Sequence, residues 1–554
     1  MSRVFINKTS TTSQDEFKIP IIIGCARVTK PQHAGFPGNF LPSQLAIEAV
    51  NEAIKDASAS SEDALRNAID CMGMPFHREE KTNNTTQMVA EGCGITLPPK
   101  KDYYGGPGSS GQLYVNTFCK NISEGTELGV ACVAMCEARH SRKTLRKQGK
   151  RWAVDSKDRK KPRQLRICAM PGIGVSEEVQ QAQEQKHGFT TPNWCYSLYE
   201  NALRARAGRS YKDHLLHIGK IYERYSENAA KAPEVSWFPN KMSAEEIAVP
   251  NFTPGNRAIT NVYTRQCCAF NEVDMAAAAL VTSVGMAKKL GIPEDKWVYV
   301  HGTASTEDTS LMSSRAAYHQ SIQHHVGFKK VLEMARKTVD DISFFDIYSP
   351  YPCMPQLAAE ALNLPVDDRR GWNLVGGHSF HGAPGAGFGC LMVVAMAQKC
   401  RENRGQFGLV NTNGGRITTQ GYGIYSTEPF PQSVWQAPIP GSYAYEVNTV
   451  KRPIFNPVPS GNCVIEVFTV CFGHEFAMPN KDKTIPNMAI IVGRLMDGSR
   501  FVCNTKCTYN DKGRATFATE PLMRLLNEEE WIGGTGTVTQ DETGRNIITL
   551  GSPQ

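Results

Sequence analysis

Apolar positions along the chain come in two rhythms, and the early part alternates between them. Pro20-Ile21-Ile22-Ile23-Gly24 is a short continuous apolar run closed by a turn glycine, the pattern of a buried strand. Ser43 then stands as an N-cap before LAIEAVNEAIKDA, in which Leu45, Ala49 and Ala53 share one helical face. A strand around Ala68–Met72 follows. After the glycine-rich stretch Gly105–Gly111 come a helix from Gln112 to about Ser123 and the strand GVACVAM, Gly129–Met135. Strand, helix, strand in this order predicts an α/β layer architecture.

Residues 140–260 break the rhythm with a basic run, the amphipathic helix YKDHLLHIGKIYERYSENAAK and connections rich in Pro and Asn, which marks an insertion on the α/β core. The rhythm resumes at Asp274, where DMAAAALVTSVGMAKKLG reads as a helix or a strand–helix unit and WVYVHG as a strand. The second half then echoes the first. Ser343–Tyr348 is a strand, Met354–Leu362 a helix, and a second glycine loop, Gly376–Gly389, opens a helix Cys390–Cys400 that returns as the strand Phe407–Asn411. A glycine loop feeding a helix that returns as a strand, once in each half, is a faint internal duplication. From about Pro431 prolines mark a linker, and CVIEVFTVCF, MAIIVGRLMDGSRFVCNT and GTGTVTQDETGRNIITL read as strands of a small β domain, with Asp497-Gly498 as a hairpin turn. The expected organisation is 1–139 first half, 140–260 insertion, 261–430 second half and 431–554 β-rich domain.

Composition narrows this little. At 554 residues, 41% hydrophobic and 21% charged, the chain is ordinary globular material for two or three domains. No apolar run reaches the roughly 18–20 residues of a membrane helix. The first 14 residues lack a secretory h-region; free of acids and rich in Ser and Thr, they fit a cytoplasmic protein and are compatible with a mitochondrial presequence. The 17 cysteines are scattered through apolar segments without paired C-x-x-C motifs, so they read as core residues in a reducing compartment, with no metal site. The net charge of +7 concentrates in Arg139–Arg166, which is either a solvated face or a surface for a polyanion such as the phosphates of coenzyme A. Nucleic acid is not expected, because only Trp152 interleaves with those charges.

Four segments carry a resemblance. VGGHSFHGAPGAGFGCLMVVAMAQKCRENRGQFGLVNTNGG (375–415) resembles the thiolase Gly-His-Pro-x-Gly loop, helix and strand leading to a Cys-x-Gly-Gly turn. FDIYSPY resembles the Asn-Glu-Ala-Phe region, or the His-Asp-Cys-Phe of sterol-carrier-type thiolases. The segment 242–283 is similar to the end of the sterol-carrier-type loop region, and GPGSSGQLYVNTFCKNISEGT to the nucleophile loop and its helix. With the added β domain, the chain resembles the type 1 thiolase-like proteins, whose relatives are commonly named acetyl-CoA acetyltransferases. The resemblance implies a thiolase fold with layers αβαβα, an acyl-CoA ligand, and a monomer or a homodimer paired through the strand Gly129–Met135.

Carried over residue by residue, the match fails where thiolases do chemistry. The nucleophile position falls on Gly108, the water-orienting Asn or His on Tyr348, the Gly-His-Pro histidine on Ala383 and the second cysteine on Thr412. A thiolate, its base and a second thiol are all missing. Substitutes are Ser109 or Ser110 as nucleophile, His378 or His381 as base and Tyr348 as a phenol donor; Ser110, Tyr348 and His381 form the candidate catalytic set. His301 in His-Gly-Thr resembles a ketosynthase motif but sits on the wrong strand, and reads as the end of a core strand. Gly108, Ser109, Gly376, Gly377 and Gly382 are the candidate cradle for coenzyme A, since glycine loops at helix starts admit anions closely. Arg142, Lys143, Arg146 and Arg151 are the candidate phosphate-binding cations, Arg142 and Arg146 foremost. Three functions stay open: a coenzyme A thioester binder with weak, altered or lost acyltransferase activity, a non-catalytic binder of a metabolite or partner, and a Ser/His-dependent acyltransferase or hydrolase.

Overall fold

The computed structural model describes residues 15–75, 85–126, 129–150, 176–430, 442–473 and 485–554. The N-terminal 14 residues, the part of the basic run from 151 with Arg151 and Trp152, and the linker prolines 431–440 lie outside the described residues.

Nine strands form one mixed sheet: β1 (Pro20–Thr29), β2 (Ile69–Met74), β3 (Asp102–Tyr104), β4 (Val130–Ala138), β5 (Asp274–Ser283), β6 (Val298–Glu307), β7 (Ile342–Ile347), β8 (Phe407–Gly414) and β9 (Thr419–Ser426). Their order is β3-β2-β4-β5-β1-β6-β9-β8-β7. Read outward from the central β1/β6 pair, both arms follow one plan. In each, the strand next to the centre (β5, β9) is antiparallel to its neighbours and the following pair (β4/β2, β8/β7) is parallel. The duplication faint in the sequence is therefore explicit in the topology; only β3 has no counterpart in the second arm.

The helices Ser110–Ser123 and Phe388–Glu402, each following one of the glycine loops, pack against each other and against strands of both arms. Pro42–Ala57 covers β1, β4 and β5, and Ile322–Ala335 covers β6 and β9. This is the layered mixed α/β fold expected. The segment after Asp274 is a strand followed by a short helix, Val284–Lys289.

Three expectations need correction. Ser43 is not the cap: the helix begins at Pro42, whose ring presets the helical φ at the first position, and the Gln44 side chain accepts the Leu41 N–H at 3.2 Å. Gly129–Met135 is no dimer edge. Its strand, β4, lies between β2 and β5 with every residue buried, and the strand at that edge of the sheet is the three-residue β3. His301 lies inside β6 rather than at its end, with Nε2 at 2.9 Å from the Glu428 carbonyl, and burial lowers its pKa to about 4.

The C-terminal strands β10 (Gly461–Phe472), β11 (Pro486–Leu495), β12 (Arg500–Thr505), β15 (Thr535–Gln540) and β16 (Asn546–Leu550) close a barrel in the order β10-β11-β12-β16-β15. Between β12 and β15 the chain adds a small hairpin of β13 (Cys507–Tyr509) and β14 (Ala515–Phe517), then the helix Thr519–Leu526. Phe468, Phe501, Leu522, Leu525 and Trp531 fill the interior, so the barrel is a packed core. Its outer side is not free either: Val467, Cys471, Ile490 and Val502 share one apolar cluster with the helices Pro192–Arg206 and Tyr211–Lys231 and with the second arm. All described cysteines are free thiols, and all but Cys507 are buried.

Candidate functional site

The first glycine loop ends against the second half of the molecule. A Cβ at Gly108 would lie 2.5 Å from both the Tyr348 hydroxyl oxygen and the Asn413 carbonyl oxygen. The space a nucleophilic side chain would need at this position is taken by the tyrosine phenol. Tyr348 is 7% exposed; its N–H donates to the Asn411 carbonyl at 2.9 Å, and burial pushes its pKa up. Ser109 and Ser110 are buried. The Ser109 hydroxyl pairs with that of Thr419 at 2.8 Å, and Ser110 Oγ tucks against Gly106, where a Cβ would lie 2.2 Å from it.

The second loop makes a π-turn, Gly377–His381, between Gly376 and Gly382, at φ of 104° and 106°. Both histidines are buried. His378 stacks on Phe388 at 3.6 Å between centroids and meets Tyr348 edge-on at 4.1 Å. The ring nitrogens of His378 and His381 make no well-formed hydrogen bond among the described residues; backbone groups of Ser349 and Val375 interact with the two rings, and neither ring joins Ser109 or Ser110 in a Ser–His pair. Burial drives both imidazoles toward the neutral form, with His381 lowered to about 3, helped by the charge of Arg27. Beside them on β7, Asp346 faces the same way as Tyr348, two residues on. Burial raises its pKa to about 7, and its Oδ2 and Arg27 Nη1 lack partners among the described residues.

Ala383 and Thr412, the other two positions matched to thiolase motifs in the sequence, are packed and bonded. Ala383 is 1% exposed and its N–H donates to the Phe270 carbonyl at 2.8 Å. Thr412 donates its hydroxyl to the carbonyls of Ser109 and Gly421 at 3.2 and 3.3 Å. Around it runs a buried chain of side chains. His324 meets Asn411 at 3.3 Å, Asn411 donates to Gln420 at 3.0 Å, Gln420 to Asn413 at 2.7 Å, and Asn413 to Tyr196 at 2.7 Å. Such a network fixes geometry, because each member would be costly to leave unpaired.

The glycines expected to cradle a ligand meet protein instead. A Cβ at Gly376 or Gly377 would lie 2.6 Å from Ala229 Cβ or 2.5 Å from the Tyr225 ring, both on the helix Tyr211–Lys231; at Gly382 it would meet Val273 at 2.9 Å. Gly111 faces Gly389 and Cys390 across the two central helices, with the Cys390 nitrogen 2.1 Å from a Cβ placed there. Of the basic run, Arg142 and Arg146 are exposed on the helix Arg139–Lys147, and Lys143 pairs with Glu272.

A cleft that no sequence motif announces opens where residues 193–270 meet the second loop. About 320 Å³ in volume, it is walled by Asn193, Phe238, Phe270 and Ser379, with Arg257 and Arg265 also lining it. Phe238 and Phe270 meet edge to face at 4.7 Å. Backbone bonds from Trp237, Phe238 and Phe270 to the carbonyls of His381, Phe380 and His378 pin the second loop as its floor. Two arginines, Arg257 and Arg265, ahead of Cys267-Cys268 in an irregular stretch are the sequence signal for it.

No family model matches the chain, and no curated protein matches it. Solved structures do. It is similar to a monomeric SCP2-thiolase like protein type 1 from Mycobacterium smegmatis, at 28% identity and a TM-score of 0.77, covering 97% of this chain and 100% of that one. An acetyl-CoA acetyltransferase from Syntrophomonas wolfei matches over 74% of this chain and 99% of its own, at 17% identity and a TM-score of 0.50. The dimeric peroxisomal thiolase of Saccharomyces cerevisiae matches over 75% and 100%, at 16% identity and a TM-score of 0.51. The last two show the fold alone. Matched through its barrel to the first, the chain belongs to the thiolase superfamily.

Proposed function

We propose that this thiolase-superfamily chain binds a coenzyme A thioester or a closely related anionic ligand and does not perform thiolase chemistry. The observation that carries the reading is the Tyr348 phenol, 2.5 Å from where a side chain at position 108 would begin. With Ala383 and Thr412 at the other two positions, there is neither a thiolate to attack a thioester nor a second thiol to move a proton. A Ser/His hydrolase is the weaker reading. The Ser109 hydroxyl is engaged with Thr419, and an imidazole held near pKa 3 is a feeble base.

The cleft between Phe238, Phe270 and Ser379 supports binding. Its volume sits at the lower end of small-molecule sites, its rings suit an apolar arm, and Arg257 and Arg265 suit phosphate or carboxylate. Its place beside the second loop fits a ligand whose acyl end stops short of the filled centre. Calorimetry with coenzyme A and with acetyl-CoA tests this: saturable binding that weakens in Arg257→Ala/Arg265→Ala is expected, and no heat with either ligand removes the reading. A thiolysis assay on acetoacetyl-CoA completes it, because turnover above background would overturn the loss of chemistry.

A further inference from the structure

Away from that cleft, three parts of the chain meet at a junction of buried arginines. Arg315 and Arg452 are 3% and 8% exposed, and they share a single carboxylate, Asp308, at 2.9 and 2.6 Å. Arg315 also donates to the carbonyls of Ile417 and Arg416, at 2.6 and 3.0 Å, yet its Nε has no partner among the described residues; nor has Arg452 Nη2. The next acid, Glu184, is already used by Ser313, whose N–H and hydroxyl donate to it at 2.7 and 2.6 Å, and burial raises its pKa toward the neutral form. Arg500 comes in from the barrel and brings its own counter-ion, Glu466, while donating to the carbonyls of Ser313 and Arg315. Among the described residues Asp308 is thus the one carboxylate in contact with Arg315 and Arg452, two buried guanidiniums on one counter-ion, an arrangement that a further anion would relieve.

A small cavity lies beside this guanidinium. About 90 Å³ in volume, it is lined by Arg315 with Asp308, Tyr199 and Ile417, and by Gln320, Ser321 and Ile322. The last two open the 14-residue helix Ile322–Ala335, whose cap Ser321 takes the His324 N–H and whose Ser321 carbonyl takes that of His325. The N–H groups of Ile322 and Gln323 stay outside the helical ladder, at the positive end of the helix dipole. With a water's share of liquid volume at about 30 Å³, the space suits roughly three waters or one oxyanion headgroup.

We propose that this cavity is a binding site for a small oxyanion, a phosphate or carboxylate group, held by buried Arg315 and the first turn of the helix Ile322–Ala335. Occupancy clamps the junction, since Arg315 reaches the second arm through Ile417 and Arg416, and its own carbonyl holds Arg500 of the barrel. The site is independent of coenzyme A binding at the other cleft.

The test uses the full chain with inorganic phosphate, acetate and, at matched ionic strength, chloride, followed by calorimetry and thermal melting. Saturable binding of phosphate or acetate with a rise in Tm that chloride does not reproduce is expected. Preference for phosphate or for acetate identifies the headgroup. Gln320 is exposed, so Gln320→Glu leaves the fold intact while setting a carboxylate at the mouth; it should weaken binding about tenfold or more. Arg315→Gln should abolish binding, and if that variant fails to fold, Gln320→Glu decides alone. A phosphate effect no larger than that of chloride, or Gln320→Glu binding as tightly as the parent, overturns the proposal.

Discussion

Placing a side chain back at position 108 is the sharpest probe of the filled centre. In Gly108→Ala the new Cβ lies 2.5 Å from two oxygens, one on the movable Tyr348 ring and one on the Asn413 backbone. The ring is pressed by His378 at 4.1 Å and Phe388 at 5.6 Å, so it cannot swing away without disturbing the stack. Overpacking of this kind costs about 1–3 kcal/mol. Tyr348→Phe removes the phenolic oxygen and one of the two collisions, so Gly108→Ala should cost less in that background. The coupling in a double-mutant cycle should be about 0.5–3 kcal/mol, as for residues in direct contact. Urea unfolding of the four proteins gives the cycle, and acetoacetyl-CoA thiolysis by Gly108→Cys gives the chemistry. On the proposed reading no activity is expected from the cysteine, because Ala383 and Thr412 stand where the thiolase resemblance would place a base and a second thiol. Equal costs of Gly108→Ala in the two backgrounds would refute the packing argument, and thiolysis by Gly108→Cys would refute the chemical one.

Gly111→Ala should destabilise more than Gly108→Ala, because its Cβ would sit 2.1 Å from a backbone nitrogen of the facing helix; a melting temperature at the parental value would deny that close approach. Glu466→Gln, which strips the fully buried Arg500 of its charge partner, should cost roughly 3–5 kcal/mol and release the barrel to limited proteolysis before the core; coincident loss of both would show that they unfold as one unit. Acidification from pH 7 to 5 should lower the melting temperature. Burial depresses the pKa of seven histidines, His187 and His381 to about 3 and His217, His301 and His324 to about 4 among them, so below about 6.5 the unfolded chain takes up their protons first and gains stability. Four carboxyls with raised pKa, including Asp346 and Glu307 at about 7, favour the folded state over the same range but are outnumbered. A melting temperature that holds or climbs on acidification would contradict this balance.

Periodicity located the elements well where the local signal and the tertiary environment agree. Continuous apolar runs such as Pro20–Gly24 became strands, and Leu45, Ala49 and Ala53 turned one helical face inward. The miss at β4 was readable in principle. Nine residues buried on both faces are the mark of a central strand, and GVACVAM has no polar alternation to suit an edge. The start of the first helix went to Ser43 because a serine competes locally with Pro42, and the proline's fixed φ won.

The site was less legible, for a reason that applies to glycine generally. A glycine reports that something comes close; it does not say whether that is a phosphate or another helix. Gly376 and Gly377 answer to Tyr225 and Ala229, more than 140 positions earlier in the chain, and Gly111 to Cys390 across the molecule. The same holds for charge. The dense run at 139–166 drew attention because its residues are adjacent in sequence, yet Arg142 and Arg146 end up solvated on one helix. Arg315, Arg452 and Arg500 are unremarkable in their own neighbourhoods and become a cluster only when the second arm, the post-linker segment and the barrel meet. Chemistry made of distant residues has no periodicity to read, so the sequence offers positions matched to thiolase motifs as expectations, whereas the phenol packed against Gly108 and the arginines behind the proposed anion site are visible only in the fold.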